Sequence, residues 1–257
     1  MINFTQRGLF VTGTDTGVGK TRISAILAHL LNQRGLVVRP RKPVESGCLR
    51  DEGGLIPADA ATCGLIPADA ATCGLIPADA ATLQAAAGSK ELLAKICPYR
   101  FELALSPERA AALADKSLTL DDVTAVCREG VAKSDFLLVE GAGGFYSPLA
   151  SDVLNADLAV ALSLPVLLVT SDRLGAINQT LLAVEAIKGR GLTLAGVVLN
   201  QVAPAVDPQM DNAAELSRWL DEPVLATAYY KADSTEPAWL LPCPVLTNLV
   251  DRLTGGL

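Results

Sequence analysis

Continuous apolar runs and apolar stripes alternate along this chain. Gly8-Leu-Phe-Val-Thr12 is a short unbroken run, and after a Gly/Thr-rich stretch Ile23, Ile26, Leu27, Leu30 and Leu31 recur at helical spacing between Lys20 and Gln33. The first pattern predicts a buried strand and the second a helix with one apolar face, stopped by Gly35. Leu36-Val-Val-Arg-Pro40, Phe136-Leu-Leu-Val139, Pro165-Val-Leu-Leu-Val-Thr170 and Leu194-Ala-Gly-Val-Val-Leu199 read as further strands. Ile177 to Ile187 reads as a helix closed by Gly189 and Gly191. Strands that are apolar at successive positions are covered on both faces, and helices of this length between them make parallel crossovers. The expected fold is therefore α/β: one domain over residues 1–257, a parallel sheet with helices on both faces. In that architecture ligands bind beyond the carboxyl ends of the strands, so residues that directly follow strands are the candidates for chemistry.

One stretch breaks the alternation. Gly54-Leu-Ile-Pro-Ala-Asp-Ala-Ala-Thr-Cys63 recurs at Gly64–Cys73, and again at Gly74–Leu83 with Leu in place of the final Cys. Ten residues are too few for the helical solenoid repeats. Each unit carries a Pro suited to a first helical turn and a Gly suited to a stop. The expectation is a triplicated ten-residue insertion at 54–83 in a surface connection, where added length costs little loop entropy.

The stretch after the first strand carries the strongest chemical signal. Gly13-Thr-Asp-Thr-Gly-Val-Gly-Lys-Thr21 lies between a predicted strand and a predicted helix, the context a phosphate loop requires. Glycines let several backbone N–H groups turn toward one anion, and the helix start adds partial positive charge. Lys20 can reach terminal phosphates, and the Thr21 hydroxyl can ligate Mg²⁺. The first glycine of the usual G-x-x-x-x-G-K-T pattern falls on Thr14, with Gly13 one position earlier. The segment implies a nucleoside triphosphate, held by Gly13, Thr14, Asp15, Gly17, Val18, Gly19, Lys20 and Thr21, in a P-loop NTPase-type sheet.

Composition narrows the field. A net charge of −7 and 4% aromatic residues argue against nucleic acid as a partner. The single histidine, His29, leaves little room for imidazole catalysis or a His-rich metal site. The six cysteines contain no C-x-x-C pair and read as reduced, structural thiols. No run approaches the length of a membrane span, and the first residues show no basic segment followed by an apolar one. The expectation is a cytoplasmic protein that binds neither membrane nor nucleic acid.

Three more segments follow predicted strands: Lys42-Pro-Val-Glu-Ser-Gly47, Val139-Glu-Gly-Ala-Gly-Gly144 and Asn200-Gln-Val-Ala-Pro204. With the phosphate loop, these closely resemble the dethiobiotin synthetases, ATP-dependent ring-closing enzymes of biotin synthesis. The resemblance runs from residue 8 to about 205, apart from the repeat, and is weak beyond. It implies that CO2, ATP and 7,8-diaminononanoate are joined through a carbamate and its phosphoryl anhydride to a cyclic urea, releasing ADP and phosphate. It further implies a homodimer. On that resemblance Lys20, Lys42 and Thr16 serve catalysis, and Ser46, Lys42 and Asn178 contact substrate, Asn178 from across the dimer. Glu140, Gly141, Gly143 and Asn200 join the nucleotide site, with Asn200 reading adenine. Mg²⁺ is held by Thr21, Glu140 and an acid in the connection after the Lys-Pro-Val motif. That acid exists three times here, as Asp59, Asp69 and Asp79. Asp79 is preferred because only its copy continues into the apolar Leu83-Gln-Ala-Ala-Ala87; Asp59 is the rival by distance along the chain.

Two departures stand out. Gly17 occupies a position where some members carry Glu, and Ala226-Thr-Ala-Tyr-Tyr230 stands where a Pro-containing stretch is expected, so the resemblance assigns no residue in the C-terminal region. The alternative function is an ATPase switch of the partition or septum-positioning kind. Against it, Asp15 stands where such switches place an early lysine, and the tail from Leu246 to Leu257 carries one basic residue, Arg252.

Overall fold

The structure is a computed structural model that describes residues 7–50, 74–204, 207, 209–230 and 237–255. Strand β1 (Gly8–Gly13) leads through the glycine-rich loop into helix α1 (Lys20–Gln33), then β2 (Val38–Arg41), β3 (Val44–Ser46) and β4 (Leu49–Arg50). The chain continues as β5 (Leu75–Ile76), α2 (Ala78–Ala86), α3 (Leu93–Ile96), β6 (Tyr99–Phe101), α4 (Pro107–Leu113) and α5 (Leu120–Arg128). Next come β7 (Phe136–Gly144), β8 (Pro148–Ala150), β9 (Val153–Leu154), α6 (Asn155–Leu162), β10 (Val166–Ser171) and α7 (Ala176–Gly189). The last elements are β11 (Leu194–Asn200), α8 (Asn212–Ser217), β12 (Val224–Thr227), a 3-10 turn at Ala238–Leu240 and α9 (Pro244–Thr254).

Six strands form the central sheet in the order β12-β11-β10-β1-β7-β2, and each neighbouring pair is parallel. Alternation along the pleat divides the core in two. Leu9 and Val11 face one layer with Leu138, Leu167 and Val169, against Ile23, Ile26 and Leu27 of α1 and Leu249 and Val250 of α9. Phe10 faces the other with Leu137, Val139 and Leu168, against Val123 of α5, Leu158 of α6 and Val184 of α7. The expected parallel sheet with helices on both faces is the observed one. Strand β1 lies between β10 and β7 in the middle of the sheet, so the loop at its carboxyl end opens over a rigid, fully paired platform.

Element ends differ from the sequence expectation in instructive ways. The strand expected from Leu36 begins at Val38, because the N–H groups of Gly35 and Leu36 turn back to Asn32 and Leu31 and close α1. The strand expected to stop at Val139 continues through the glycines to Gly144. Buried Asn155 replaces the missing side-chain packing there: its amide oxygen accepts from the Ala142 N–H, and its nitrogen donates to the carbonyls of Ala142, Gly144 and Ser147. The third repeat copy, Gly74–Leu83, enters the fold as β5 and the start of α2, burying Leu75, Ala80 and Leu83. The first two copies, with Asp59, Asp69, Cys63 and Cys73, lie outside the described residues.

Candidate active site

The loop after β1, the segment after β2 and the glycine run ending β7 meet around a cavity of about 610 Å³. Thr16, Gly17, Gly19, Lys20 and Thr21 form one wall. Lys42, Glu45, Ser46 and Asp79 form the facing wall, Glu140, Ala142, Gly143 and Ser147 the floor, and Ala104 to Pro107 a rim.

Backbone geometry makes the phosphate loop specific to glycine at two places. Gly17 sits at φ 76° and Gly19 at φ 92°, the left-handed region that side chains disfavour. A Cβ on Gly19 would also fall 2.1 Å from Asn200 Nδ2. Lys20 is buried and its ammonium donates to the Asp15 carbonyl at 2.9 Å, closing the loop on itself. Burial, with the Lys42 charge nearby, lowers the Lys20 pKa to about 8. An anionic phosphate in the loop would reverse that shift.

Two buried groups, Lys42 and Glu140, join the facing wall to the floor. Lys42 Nζ lies 2.7 Å from Glu140 Oε1 and 2.9 Å from Asp79 Oδ2. Burial opposes the Lys42 charge, but Glu140 and Asp79 outweigh it and hold the pKa above the ordinary lysine value. The Asp79 carboxyl stays below its usual value because Lys42, Thr21 and Lys20 outweigh the effect of burial. The Thr21 hydroxyl donates to Glu140 Oε1 at 2.8 Å, while Glu140 Oε2 is buried without a hydrogen-bond partner. A buried carboxylate oxygen left unpaired is costly, and here it belongs to a set of hard oxygen donors: one hydroxyl and two carboxylates. That set fits Mg²⁺, which takes one or two carboxylates and completes its shell with phosphate oxygens and water. Among the described residues, no three His, Cys, Asp or Glu side chains are grouped so that they alone could hold a metal ion.

The other residues singled out from the sequence fall in several places. Thr14 donates to the Thr170 hydroxyl at 3.1 Å, tying the loop to β10. Val18 is buried beneath the loop, and its carbonyl accepts from Asn200 Nδ2 at 2.9 Å. The Asp15 carboxylate accepts from the Thr16 N–H. Gly141 and Gly143 leave room for Asn155 and Ser147 respectively. Ser46 donates to the Leu105 carbonyl at 2.7 Å at the rim. Asn178 is an exposed residue of the first turn of α7 and does not line the cavity. Cys48 is buried, and burial with Glu45 nearby raises its thiol to about 11, which leaves it inert as a nucleophile.

Asn200 is more constrained than an adenine reader needs to be. Its amide oxygen accepts from Arg22 at 2.8 Å and from the Thr227 hydroxyl at 2.9 Å. With one N–H given to Val18, one N–H remains for a base. Arg22 also donates to the Ala228 carbonyl and lies over the Tyr230 ring. The C-terminal segment that the resemblance left blank therefore meets Asn200. Sequence reasoning also missed Glu45, Ser147 and Asn155. A polar residue at the head of the apolar run Asn155–Leu162 was the available signal for the last. For Glu45 the signal was its place inside the Lys-Pro-Val-Glu-Ser-Gly segment.

A phosphate loop leading from the central parallel strand into a helix, beside a Thr–carboxylate pair and a second buried lysine, defines an ATP-binding P-loop α/β protein. A family model described as an AAA domain matches residues 7–238. An ATP-dependent dethiobiotin synthetase of Anaeromyxobacter dehalogenans (strain 2CP-C) is 40% identical over 229 residues, covering 89% of this chain and 92% of the relative. That of Ruthia magnifica is 38% identical over 199 residues, covering 77% and 82%. That of Cellvibrio japonicus is 36% identical over 220 residues, covering 86% and 88%. Among solved structures, the septum site-determining protein MinD of Pyrococcus horikoshii, complexed with Mg-ADP, aligns over 96% of both chains with a TM-score of 0.49 at 16% identity. The chain belongs to the dethiobiotin synthetase family and is an ATP-dependent ligase of biotin biosynthesis. The switch alternative is not favoured. Among the described residues, no helix is long and apolar enough to cross a membrane.

Proposed function

We propose that this protein closes the ring of dethiobiotin from 7,8-diaminononanoate, CO2 and ATP. One substrate amine adds to CO2 and loses a proton, giving a carbamate. A carbamate oxygen takes the γ-phosphoryl group of ATP, and ADP leaves. The second amine attacks the carbamoyl carbon and expels phosphate, forming the cyclic urea. The observation that carries this reading is Lys42, buried between Glu140 and Asp79 and facing Lys20 across one cavity. Two anions, carbamate and γ-phosphate, must meet there, and two preorganised ammonium groups offset their repulsion and the charge that develops in transfer.

In this reading Lys20 holds the terminal phosphates and Lys42 bridges carbamate and γ-phosphate. Thr16 lines the same cleft, and Ser46 contacts the substrate. Gly13 to Thr21 cradle the phosphates, Gly141 and Gly143 allow close approach, and Asn200 donates its remaining N–H to the base. Thr21, Glu140 and Asp79 hold Mg²⁺, which neutralises phosphate charge when bound. Asn178, at a helix start, receives the substrate carboxylate from a second copy in a homodimer. The chain acts as one cytoplasmic domain, with the repeat as an insertion in it. The test is phosphate release by the purified protein with ATP, Mg²⁺ and bicarbonate. Release that requires the diamine supports the synthetase; diamine-independent hydrolysis stimulated by DNA or lipid contradicts it.

A further inference from the structure

Helix α2 carries Asp79 in its first turn, yet it has no cap of its own. The residue before it is Pro77, whose side chain offers no acceptor, and no side-chain cap bond is made from that position. The first N–H groups of a helix need partners. Here they come from 34 residues upstream: Glu45 Oε1 accepts from the Asp79 N–H at 3.0 Å, and Glu45 Oε2 accepts from the Ala80 N–H at 3.1 Å. Glu45 is buried in β3, which is itself fixed by parallel pairing to β6. Both carboxylate oxygens are thus engaged by consecutive amides at the positive end of α2, which offset part of the burial and of the Asp79 repulsion that hold the Glu45 pKa above its ordinary value.

The consequence falls on the residue whose N–H is captured. The bond fixes where the first turn of α2, and with it the Asp79 Cα, sits beside Lys42, and the Asp79 Oδ2 lies 2.9 Å from Lys42 Nζ. Lys42 and Glu45 belong to the same short segment, so one stretch of chain grips Asp79 twice, by the ammonium at its side chain and by the carboxylate at its backbone. In the described third copy, Leu75 and Leu83 pack apolar surface, which sets the depth of the helix but not the place of its carboxylate.

We propose that Glu45 is a positioning residue that holds Asp79 toward the Mg²⁺–phosphate site by capping α2, and that it does not itself contact substrate. This rests on the reading of Asp79 given under Proposed function. The test compares wild type, Glu45→Gln and Glu45→Ala as full chains. Hydrogen–deuterium exchange of the nucleotide-free protein reports on a peptide spanning 75–86, and steady-state phosphate release is followed against Mg²⁺ and against the diamine. The expected result is graded: exchange at the 79 and 80 amides faster by roughly 10-fold or more in Glu45→Ala and by less in Glu45→Gln, which keeps one acceptor oxygen. The Mg²⁺ concentration for half-maximal rate should rise in the same order, with KM for the diamine unchanged. If Glu45→Ala fails to fold, Glu45→Gln carries the comparison. Unchanged exchange at 79 and 80, or a raised KM for the diamine with unchanged Mg²⁺ dependence, would overturn the proposal. Faster exchange in a protein whose phosphate release never depended on the diamine would support the capping role and overturn the reaction instead.

Discussion

The two walls of the cavity are built by different physics. The phosphate loop is local: Gly13 to Thr21 are consecutive, their conformation follows from glycines at φ 76° and 92°, and the lysine closes back onto a carbonyl five residues away. The facing wall, with the floor it joins, is assembled from a distance. Lys42, Asp79 and Glu140 are far apart in sequence, and they meet because β2 pairs with β7 and Glu45 pins α2. A wall made of consecutive residues tolerates change elsewhere. A wall made of charges converging in a buried place depends on each of them, because removing one leaves another uncompensated.

That contrast orders the expected effects. Lys42→Met removes the partner of buried Glu140, and it should cost about 3–5 kcal/mol of stability in urea unfolding as well as diamine-dependent turnover. A stable, active variant would show that the Lys42–Glu140 pair matters to neither. Lys20→Ala alters the local wall: kcat should fall by at least ~10²-fold, the scale of losing one preorganised charge stabiliser, with unfolding little changed. Asp79→Asn should weaken Mg²⁺-dependent turnover by roughly 10-fold, and Asp59→Asn should leave it near wild type; the reverse outcome in steady-state assays would transfer the role to Asp59. Deleting Gly54–Cys73, two whole copies, should change turnover by no more than about twofold and leave a cooperative thermal transition. Loss of folding would show that the extra copies are structural.

The same contrast explains what could be read from the sequence. Five of the six strands of the central sheet were legible, β1, β7, β10 and β11 as apolar runs, and α1 because its stripe has a single period; β12 was not expected. The loop was legible because its motif is contiguous. The extension of β7 to Gly144 was not, since it depends on Asn155, whose four hydrogen bonds all reach back eight to thirteen residues. Glu45 was hidden for the same reason: a carboxylate after a strand carries no mark that it will cap a helix 34 residues on. The contribution of Thr227 and Tyr230 near Asn200 escaped because β12 pairs with β11 only in the folded sheet.

The central claim is that a polyphosphate lies between the glycine loop and Lys42. A crystal structure with a non-hydrolysable ATP analogue and the diamine tests it most directly. The account predicts the β- and γ-phosphates within hydrogen-bonding reach of the Gly13–Thr21 backbone, with the γ-phosphate between the Lys20 and Lys42 ammonium groups. A nucleotide bound elsewhere, with that cavity holding no phosphate, would contradict it.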